Sequence, residues 1–395
     1  MKKISKRAFT LVLALIMAAT ILPTNLFSTT AYAASFVKGD KLSYGSYPQS
    51  QVTDATILAQ LNAAALGADN TVTLSSGKYL KVNFSKYTPI YPDYPANEEN
   101  SYQDNNGYLV NTTYWFKFEP IVWRVLYSKT GELYLMSEKV LNSMAFNNAE
   151  TSSMTWSACS LRKWLNGTFY NTAFSVTQKA NIKNNYTLNP DNPDTYRDGG
   201  ANTYDKVFLI SYTDSLNTAY GFSSNPYATD TKRRDTGTDY ARCMGLNMNI
   251  DEPMFNHNCF WWLRTPGGSD AGFSRVKFGG ESDDYCIEVN SAYYGVRPAI
   301  KLVVVVPANF KAVKASSSSI KVSWSAVAGA TGYQVYRATS STGASVLLKS
   351  VTTTSFTDTK LTKNKTYYYK VRAYKTISGK SIMGSFTSQK SAKPY

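Results

Sequence analysis

The sequence predicts a mixed α+β domain followed by a separate all-β sandwich. Two helical patterns and five apolar strand patterns are scattered through residues 34–306 between long polar loops, which favours an α+β fold over a regular parallel array. Residues 307–395 instead show short alternating runs at regular intervals, which is typical of a β-sandwich. The composition changes at the segment VVVVP, so the domain boundary is expected there.

The N-terminal segment predicts export from the cytoplasm. The first residues, MKKISKR, are basic, residues 8–22 form an apolar run that is short for a membrane span, and Ala31 and Ala33 follow a polar stretch. This order is that of a secretory signal peptide, with cleavage expected after Ala33, so residues 1–33 are predicted to be removed. The mature protein is then expected to be secreted and extracellular, or associated with the cell wall.

Local patterns predict the elements of the body, residues 34–306. Apolar residues at helical spacing predict a helix over residues 54–66 with Asp54 as its N-cap. A second helix is expected to begin at Ser157 and to end at Gly167. Strands are predicted at residues 121–126, 133–137, 207–211, 260–264 and 296–305. The polar segments 87–107 and 184–203 are predicted to be functional or mobile loops.

The C-terminal module resembles a known β-sandwich family. Its runs IKVSWSAV, GYQVYRAT, SVLLKSV and TYYYKVRAY alternate in polarity, with Trp324 in the first and Tyr367 six residues after Leu361. These features resemble the fibronectin type III fold, and the likeness covers residues 307–395. In that family the tryptophan fills the core and the tyrosine forms the tyrosine corner, roles that fall here on Trp324 and Tyr367.

The body carries an ordered series of motifs that resembles a bacterial domain family. The motifs are YGSYPQS, PIVWRVL, LMSEKVL, SLRKWLN, FYNTAF, DKVFLIS, WWLRTPG and GVRPAI. They resemble an uncharacterised domain common in secreted proteins of Gram-positive bacteria. The WWLR and GVRP segments are also similar to the C-type-lectin-like fold of the formylglycine-generating-enzyme group, which implies a C-type-lectin-like body. That enzyme group uses a cysteine pair for which no counterpart is placed here, so formylglycine chemistry is not expected.

The charge is concentrated in the C-terminal module. It contains fourteen Lys and Arg residues and a single acidic residue, Asp358, while the body is close to neutral. The positive electrostatic field of this module favours anionic partners such as wall polymers or an anionic membrane surface. The alternative is that the lysine-rich surface only keeps the protein soluble. The module has no groove-reading motif, so nucleic acid is not expected as a partner.

The reactive side chains give little support for catalysis. His257 is the only histidine, which excludes most hydrolytic schemes with a histidine base. A nucleophile pair of His257 with Cys259 is allowed by the geometry of a strand but is disfavoured against a surface histidine near a disulfide. The four cysteines either form one or two disulfides or remain buried thiols, and their spacing gives no metal signal: Cys159, Cys243, Cys259 and Cys286.

Aromatic and arginine residues near the end of the body are the candidate ligand contacts. Adjacent Trp261 and Trp262 point to opposite faces of a strand, so one is expected in the core, and the other, with Tyr294, in an exposed platform suited to sugar rings. Arg264 and Arg297 have the guanidinium forks that bind carboxylates, and the alternative for each is an internal ion pair.

Acidic loops provide the remaining candidates. Glu281 and Asp284 follow two glycines, and residues 189–198 form a second oxygen-rich loop. These loops could bind Ca²⁺, and the alternative is that they are ordinary solvent-exposed loops. These carboxylates, with Asp270, are also the groups that an extracellular glycan-active enzyme would use.

The sequence therefore predicts a binding or adhesion protein for carbohydrate or cell-envelope polymer, with a basic fibronectin type III spacer, in preference to an enzyme. No cofactor is expected, apart from the possible Ca²⁺ site. A third hypothesis for the function is that the protein is a purely structural spacer. The predicted ligand-binding residues are Trp262, Arg264, Asp270, Glu281, Asp284, Tyr294 and Arg297.

Overall fold

The fold is mixed α and β, with strands predominating. The computed structural model describes residues 35–91, 94–151, 153–248, 257–268 and 272–395, with the backbone alone for residues 285–287. The predicted signal peptide, residues 1–33, and the candidate Asp270 lie outside the described residues. The body and the C-terminal module both belong to one compact unit, Ala33–Tyr395.

The body contains two sheets. Its described strands are β1 (Lys41–Gln51), β2 (Thr71–Leu74), β3 (Gly77–Val82), β4 (Tyr114–Lys129), β5 (Glu132–Ser137), β6 (Asn142–Ser143), β7 (Asn185–Thr187), β8 (Thr203–Asp205), β9 (Val207–Phe208), β10 (Trp261–Pro266), β11 (Gly272–Val276), β12 (Ser282–Glu288), β13 (Gly295–Val296) and β14 (Ala299–Val303). A 7-stranded sheet has the order β2-β3-β4-β5-β14-β9, with β1 also paired to β4, and its pairs are antiparallel. A 5-stranded sheet has the order β12-β11-β10-β13-β6, and β7 and β8 form a separate hairpin.

The predicted strands are present, and three of them have clearly different extents. The segment 121–126 is the middle of the longer β4, Tyr114–Lys129. The segment 207–211 is a strand only over Val207–Phe208. The segment 296–305 is divided between β13 and β14, which belong to different sheets. The strand is interrupted at Arg297 and Pro298. Proline has no N–H to donate to a neighbouring strand, and the Arg297 side chain is buried in the core.

The helices are short. They are α1 (Ala55–Ala63), α2 (Tyr102–Asn105), α3 (Ser160–Trp164), α4 (Tyr170–Ala173), α5 (Val176–Lys179), α6 (Tyr212–Ser215) and α7 (Asp239–Cys243), with 3-10 turns at Glu98–Asn100 and Thr218–Tyr220. The first helix prediction is confirmed at its start, since Asp54 caps α1 by accepting from the Ile57 N–H at 2.9 Å, but the helix ends at Ala63, three residues before its predicted end.

The second helix prediction is wrong at both ends. The helix begins at Ser160, with the Cys159 thiol at the N-cap accepting from the Arg162 N–H. It then passes through a π-helical turn, Leu165–Phe169, into α4. Gly167 lies within that turn and does not end the helix, because buried Leu165 and Phe169 hold both sides of it in the core.

The C-terminal module is a two-sheet sandwich, as predicted. Its strands are β15 (Lys311–Ser316), β16 (Ser319–Ser323), β17 (Gly332–Ala338), β18 (Val346–Val351), β19 (Ser355–Asp358), β20 (Tyr367–Ile377), β21 (Lys380–Met383) and β22 (Lys390–Ala392). One sheet has the order β15-β16-β19, and the other has β18-β17-β20-β21, with β22 also paired to β20.

The two residues that carry the sandwich resemblance are confirmed in their places. Trp324 is buried and packs against Phe310 and Tyr333. The Tyr367 hydroxyl accepts the backbone N–H of Thr362 at 3.0 Å, which is the contact of a tyrosine corner.

The module packs directly against the body. Lys380 Nζ lies 2.6 Å from Asp40 Oδ2, and the Gly131 N–H donates to the Met383 carbonyl at 2.7 Å. At Gly329 a Cβ would lie 2.1 Å from Asn181 Oδ1, and its φ of +70° also favours glycine, so this residue permits the close approach of the two parts. The module is therefore held by side-chain and backbone contacts in addition to the chain connection.

Among the described residues, we find no helix with the length and apolar character needed to cross a membrane.

Candidate functional site

Both tryptophans of the WWLR motif lie in the core. Trp262 is fully buried, contacts the rings of Phe146 and Tyr294, and donates from Nε1 to the Met144 carbonyl at 2.9 Å. Trp261 is also fully buried. The prediction that one of them forms an exposed platform is wrong, because β10 is an inner strand of its sheet and both of its faces are covered.

Tyr294 and Arg297 also lie beneath the surface. The Tyr294 hydroxyl accepts from Arg275 Nη1 at 2.6 Å. Arg297 is 1% exposed and donates to the carbonyls of Ser137 and Glu138, while its guanidinium lies over the Trp261 ring. This arginine is held by main-chain carbonyl groups of residues 137–138 and 232–233, which differs from the internal ion pair considered as its alternative.

Arg264 is the predicted residue that lines a pocket. We call this cavity of about 280 Å³ the Arg264 pocket, with Tyr134, Tyr186, Asp214, Tyr220, Arg264 and Lys301 as its principal lining residues. Strands β5 and β14 supply Tyr134 and Lys301, which lie opposite each other in the sheet register. The β7–β8 hairpin, α6 and the turn at Thr218–Tyr220 supply the other walls.

The guanidinium of Arg264 is held in place by the body. Its Nη1 donates to the Leu209 carbonyl at 2.6 Å and to Asp214 Oδ2 at 3.0 Å, and its Nη2 donates to the Leu188 carbonyl at 3.3 Å. Its Nε is buried and has no partner among the described residues. The arginine is therefore preorganised, and its buried Nε–H is left without an acceptor among the described residues.

Asp214 is positioned by the start of its own helix. Ser211 and Asp214 form a capping box at the N-terminus of α6, in which each side chain accepts the other's backbone N–H. The same carboxylate oxygen lies 3.3 Å from the Tyr134 hydroxyl, which donates to it. Helix α6 thus fixes the counter-charge of Arg264.

Lys301 has no such counter-charge. Within the described part of the chain, its ammonium group makes no ion pair and no hydrogen bond, and it lies over the Tyr134 ring at 5.1 Å from the centroid. Burial lowers the pKa of Lys301, and the neighbouring charge of Glu132 opposes this effect. With Arg264 neutralised by Asp214, Lys301 supplies the net positive charge of the pocket.

Tyrosine rings surround the mouth of this pocket. Tyr186 and Tyr204 face each other across the β7–β8 hairpin with ring centroids 5.1 Å apart, and both are more than half exposed. Tyr220 meets Tyr134 edge to face at 5.3 Å. Exposed, rigid rings next to a cation suit sugar faces and other flat polar groups. Exposed aromatic rings thus lie on the β7–β8 hairpin, whereas the rings predicted to form a platform at the WWLR strand are buried.

The acidic candidates lie at a different place. Asp284 accepts the Gly268 N–H through its carbonyl, and burial raises the pKa of its carboxyl group, with the charges of Asp194 and Asp283 adding to the effect. The loop 189–198 contacts the same region, since the Thr195 hydroxyl donates to the Gly267 carbonyl at 3.3 Å. Glu281 is partly exposed and its charge acts on Arg233. In the described segments, no group of three or more His, Cys, Asp or Glu residues is arranged to hold a metal ion.

The cysteines are not paired with one another where the structure describes them. Cys159, Cys243 and Cys259 are buried free thiols, and the side chain of Cys286 lies outside the described residues. The Cys259 thiol donates to the Asp235 carbonyl at 3.1 Å, and burial raises its pKa well above the ordinary value. His257 is exposed and has a left-handed backbone. A buried, protonated thiol is a poor nucleophile.

The module presents a cationic surface. Its single acid, Asp358, is buried and accepts from Arg337 and from the Tyr369 hydroxyl at 3.0 and 2.8 Å. On the outer face of the larger sheet, four residues form what we call the cation-π face: Tyr336, Lys370, Arg372 and Phe386. Within the described residues no carboxylate lies within 4 Å of Lys370 or Arg372.

Sequence reasoning missed the other polar residues of the Arg264 pocket. Two signals for them are present in the sequence. Lys301 is the one charge within the apolar run AIKLVVVV, and Ser211 and Asp214 have the spacing of a capping box. Tyr134 had no such signal, because its role depends on the pairing of β5 with β14.

Comparison with known families identifies two domains. Residues 130–304 match a family described as "Domain of unknown function (DUF6273)", and residues 305–385 match the family "Fibronectin type III domain". The chain therefore contains a DUF6273 domain followed by a fibronectin type III domain. No curated protein matches the chain.

Solved structures match the C-terminal part. The FN1–FN3 domains of chicken CNTN1 are 24% identical over 22% of this chain and 31% of theirs, with a TM-score of 0.20, so the match spans less than a third of that fragment. The FN5 domain of Drosophila Lar is 24% identical over 23% of this chain and 96% of its own, with a TM-score of 0.20. A Fn3-like protein from Clostridium thermocellum is 30% identical over 20% and 84%, with a TM-score of 0.18.

Proposed function

We propose that the protein binds an anionic carbohydrate or cell-envelope polymer in the Arg264 pocket. The fibronectin type III domain fits a binding or spacer role, and here it is packed against the body as part of one unit. In this proposal the body supplies the specific contact, and the basic module supplies long-range attraction to the same anionic polymer. The finer target class is a polymer of acidic sugars or of phosphate-linked units.

The observation that carries this proposal is the unpaired Lys301 within the pocket. Lys301 is partly buried, and the charges of Glu132 and Asp214 act on its ammonium group without a hydrogen bond or ion pair to it among the described residues, so the group is available to an anion that enters the pocket. A carboxylate or phosphate of a ligand is the chemical group that would complete the site.

The pocket wall supports a sugar as the carrier of that anion. Tyr134, Tyr186 and Tyr220 present rings and hydroxyls to the cavity, and Thr213 is an exposed hydroxyl on its rim. Rings of this kind stack on sugar faces, while the tyrosine and threonine hydroxyls hydrogen-bond to sugar hydroxyls. The volume of about 280 Å³ suits one or two residues of a chain.

The surface of the module supports a polymer as the partner. Thirteen of its fourteen basic residues have no acidic side chain of the module as a partner, because the only acidic residue is buried and pairs with Arg337. Lys380 is used against Asp40 of the body. The remaining cations form a field that attracts extended anions and is weakened by salt.

The location follows from the N-terminal pattern and stays part of the proposal. We propose secretion with removal of residues 1–33, adhesion at the cell surface or wall, and a C-type-lectin-like arrangement of the body. Intact-mass analysis of protein from the culture medium is expected to give an N-terminus at Ala34. Mature protein that retains Met1 contradicts this part of the proposal.

Lys301 gives the decisive experiment. Purified protein is screened against neutral and acidic polysaccharides and teichoic acid, and the affinity of the best ligand is measured for Lys301→Gln. Loss of one charge-assisted contact, about 1.5–3 kcal/mol, corresponds to at least a tenfold weaker affinity.

The matched control is Lys163→Gln, which removes the same charge from an exposed position on α3, outside the pocket. It is expected to bind as the wild type does. Equal affinity of the Lys301 and Lys163 variants would show that the pocket is not the binding site. Selective binding of neutral polysaccharides would refute the anionic target.

A second candidate function is cleavage of a glycan by loop carboxylates. The observation that favours it is the partly buried carboxyl group of Asp284, whose pKa is raised by burial and, to a lesser extent, by the charges of Asp194 and Asp283. Release of reducing ends from a polysaccharide panel, lost in Asp284→Asn, is the result expected for this function. Binding without any release of sugar leaves the binding function.

A further inference from the structure

A row of lysines continues from the Arg264 pocket along the same face of the 7-stranded sheet. Lys301 lies opposite Tyr134 of β5 in the sheet register. On its other side, an antiparallel bridge places Lys183 opposite Lys301, and the Lys183 N–H donates to the Lys301 carbonyl at 2.8 Å. Residues directly opposite each other in an antiparallel pair have their side chains on one face. Lys183 therefore shares the face on which Lys301 and Tyr134 line the pocket.

The next positions on this face carry an ion cluster. Glu132 is buried and lies opposite Val303 in the register, diagonally next to Lys301. Its Oε2 lies 2.6 Å from Lys183 Nζ, and its Oε1 lies 3.3 Å from Lys129 Nζ. The charges of all three cluster residues act on the Lys301 ammonium group. The four side chains thus form one continuous charged surface.

Lys129, Lys183 and Lys301, which we call the lysine row, carry an excess of positive charge. Glu132 neutralises one of the two lysines that it contacts, so the cluster keeps one charge and Lys301 adds another. The side chains of Lys129 and Lys183 are 52% and 39% exposed, so a ligand can reach both. Diagonal neighbours on one face of a sheet are about 7–8 Å apart, so the two charges fit two anionic groups at separate positions of a ligand.

The lysine row leads from the pocket to the boundary with the C-terminal module. Lys129 and Glu132 are the ends of the β4–β5 turn. In that turn, the Gly131 N–H donates to the Met383 carbonyl of β21 at 2.7 Å. A linear ligand can therefore contact the pocket and the row together and continue toward the basic module. Contacts made by one chain at several positions reinforce each other, because the later ones form within the same complex.

Tyrosine rings border the lysine row and favour a sugar chain over other polyanions. Tyr127 lies opposite Tyr134 in the register of β4 and β5 and is 41% exposed. With Tyr220, it places aromatic rings along the same side of the sheet as the cations. Flat rings beside cations suit sugar rings that carry carboxylates, whereas a polyglutamate or poly(glycerol phosphate) chain has no ring to stack on them.

We propose that the lysine row binds a linear polysaccharide that carries a carboxylate on successive sugar residues. One carboxylate enters the pocket at Lys301, and the carboxylate of a following sugar meets Lys129 and Lys183. This inference rests on the proposed function, because it extends the Arg264 pocket. It narrows the wider class of acidic or phosphate-linked polymers to polyuronates.

The test is calorimetric titration of the whole protein at low salt with digalacturonate, hexagalacturonate, hexaglutamate and a glycerol phosphate hexamer. Hexagalacturonate is expected to bind more tightly than digalacturonate by clearly more than about fivefold, the gain that its larger number of equivalent positions supplies. A gain of fivefold or less overturns the proposal. Tighter binding of hexaglutamate or of the glycerol phosphate hexamer than of hexagalacturonate identifies another polyanion and likewise overturns it.

Lys129→Gln locates the second contact. Glu132 keeps Lys183 as its partner at 2.6 Å, so the body is expected to remain folded. The affinity for hexagalacturonate should fall about two- to fivefold at low salt, the effect of one exposed charge pair. The ratio of hexamer to dimer affinity should fall with it. An unchanged ratio in this variant overturns the proposal.

Lys78→Gln is the matched control. Lys78 is also exposed and paired with a carboxylate, that of Asp69, but it lies on β3. This variant is expected to bind both galacturonates as the wild type does. Equal losses in Lys78→Gln and Lys129→Gln would mean that only the net charge of the body matters, which contradicts a site at the lysine row.

Glu132→Gln is expected to have the opposite effect. It removes the carboxylate between the two lysines at nearly the same side-chain volume, so hexagalacturonate should bind more tightly at low salt. Weaker binding in this variant, with cooperative thermal unfolding as evidence that it is folded, contradicts the charge balance of the row.

Lys301→Gln separates this inference from the proposed function. It is expected to weaken the binding of dimer and hexamer alike, since both place a carboxylate in the pocket. If the dimer binds unchanged, the proposed function itself is wrong. If Lys301→Gln weakens both ligands while Lys129→Gln weakens neither, the pocket binds the anion and the lysine row does not.

Discussion

The carboxylate of Asp214 lies 3.0 Å from the guanidinium of Arg264 and neutralises its charge inside the pocket. Both side chains are largely buried, at 19% and 9% exposure, so the pair is screened little by solvent. The attraction of the pocket for an anion then depends on Lys301, whereas Arg264 contributes a fixed fork of donors.

Asp214→Asn is expected to have opposite effects on folding and on binding. It removes the counter-charge of a buried arginine and should destabilise the body by about 3–5 kcal/mol. It also raises the positive charge of the pocket, so an anionic ligand should bind more tightly at low salt. Thermal unfolding and titration of the same sample test both signs.

Asp69→Asn is the control for that variant. It removes a carboxylate that pairs with Lys78 on the surface, where solvent screens the ion pair. Neither stability nor binding is expected to change appreciably. If Asp214→Asn weakens binding of the anion while the body remains folded, the assigned charge balance of the pocket is wrong.

The pair Arg124 and Glu138 is expected to make the body sensitive to acid. Burial opposes ionisation of Glu138, but two hydrogen bonds from Arg124 at 2.5 and 2.9 Å, with the charge of Arg297 beyond them, lower its pKa to about 2. A lowered acid pKa stabilises the fold fully above the ordinary value of 4.5, and this contribution is lost as the pH falls toward 2. The contribution at neutral pH is about 3 kcal/mol.

Glu138→Gln tests this expectation through the slope of stability against pH. The variant should be less stable at pH 7, and its stability should fall less steeply than that of the wild type between pH 4.5 and 2. Parallel slopes for the two proteins in that interval would falsify the assignment of acid sensitivity to Glu138.

The sequence predicted the sandwich well and the body's site poorly, for a physical reason. The contacts of Trp324 and the Tyr367 corner are encoded by local patterns, because the tyrosine bonds to a residue five positions earlier. The Arg264 pocket joins segments far apart in the chain, since Tyr134, Asp214 and Arg264 come from β5, α6 and β10. Only the pairing of distant strands brings those side chains together.

The tryptophan pair also shows what a local sequence pattern cannot predict. Alternation along β10 correctly places Trp261 and Trp262 on opposite faces. It does not reveal that each face is covered, because that depends on the neighbouring strands β11 and β13 and on segments near residue 144. An inner strand therefore buries both rings, and the exposed tyrosines are found on the β7–β8 hairpin.

The sandwich core gives a graded pair of variants. Trp324→Ala is expected to cost about 3–5 kcal/mol, because it leaves a cavity between Phe310 and Tyr333. Tyr367→Phe is expected to cost less, about 1–3 kcal/mol, by leaving the Thr362 N–H without its acceptor. Hydrogen exchange within residues 307–395 of the whole protein measures both losses.

Tyr368→Phe is the control for the corner, since it removes the same hydroxyl from the neighbouring, partly exposed position. It is expected to stay within about 0.5 kcal/mol of the wild type. If Tyr368→Phe lowers the free energy of unfolding as much as Tyr367→Phe does, the hydrogen bond of the tyrosine corner contributes no particular stability.

The cation-π face is expected to govern the salt dependence of polymer binding. Lys370 and Arg372 lie 4.4 and 4.8 Å from the Phe386 ring centroid, without a carboxylate partner among the described residues, so their charges remain available to an anion. The double variant Lys370→Gln and Arg372→Gln should weaken binding to an anionic wall polymer at low salt. The difference should shrink at high salt, because exposed charges are screened beyond about 3 Å at 1 M.

The double variant Lys311→Gln and Lys321→Gln removes the same charge from the smaller sheet of the module and serves as the control. If both double variants weaken binding equally, the module acts through its net charge alone, and the cation-π face has no special part in binding. If binding is unchanged from low to high salt in the wild type, the attraction is not electrostatic, and the role proposed for the module is wrong.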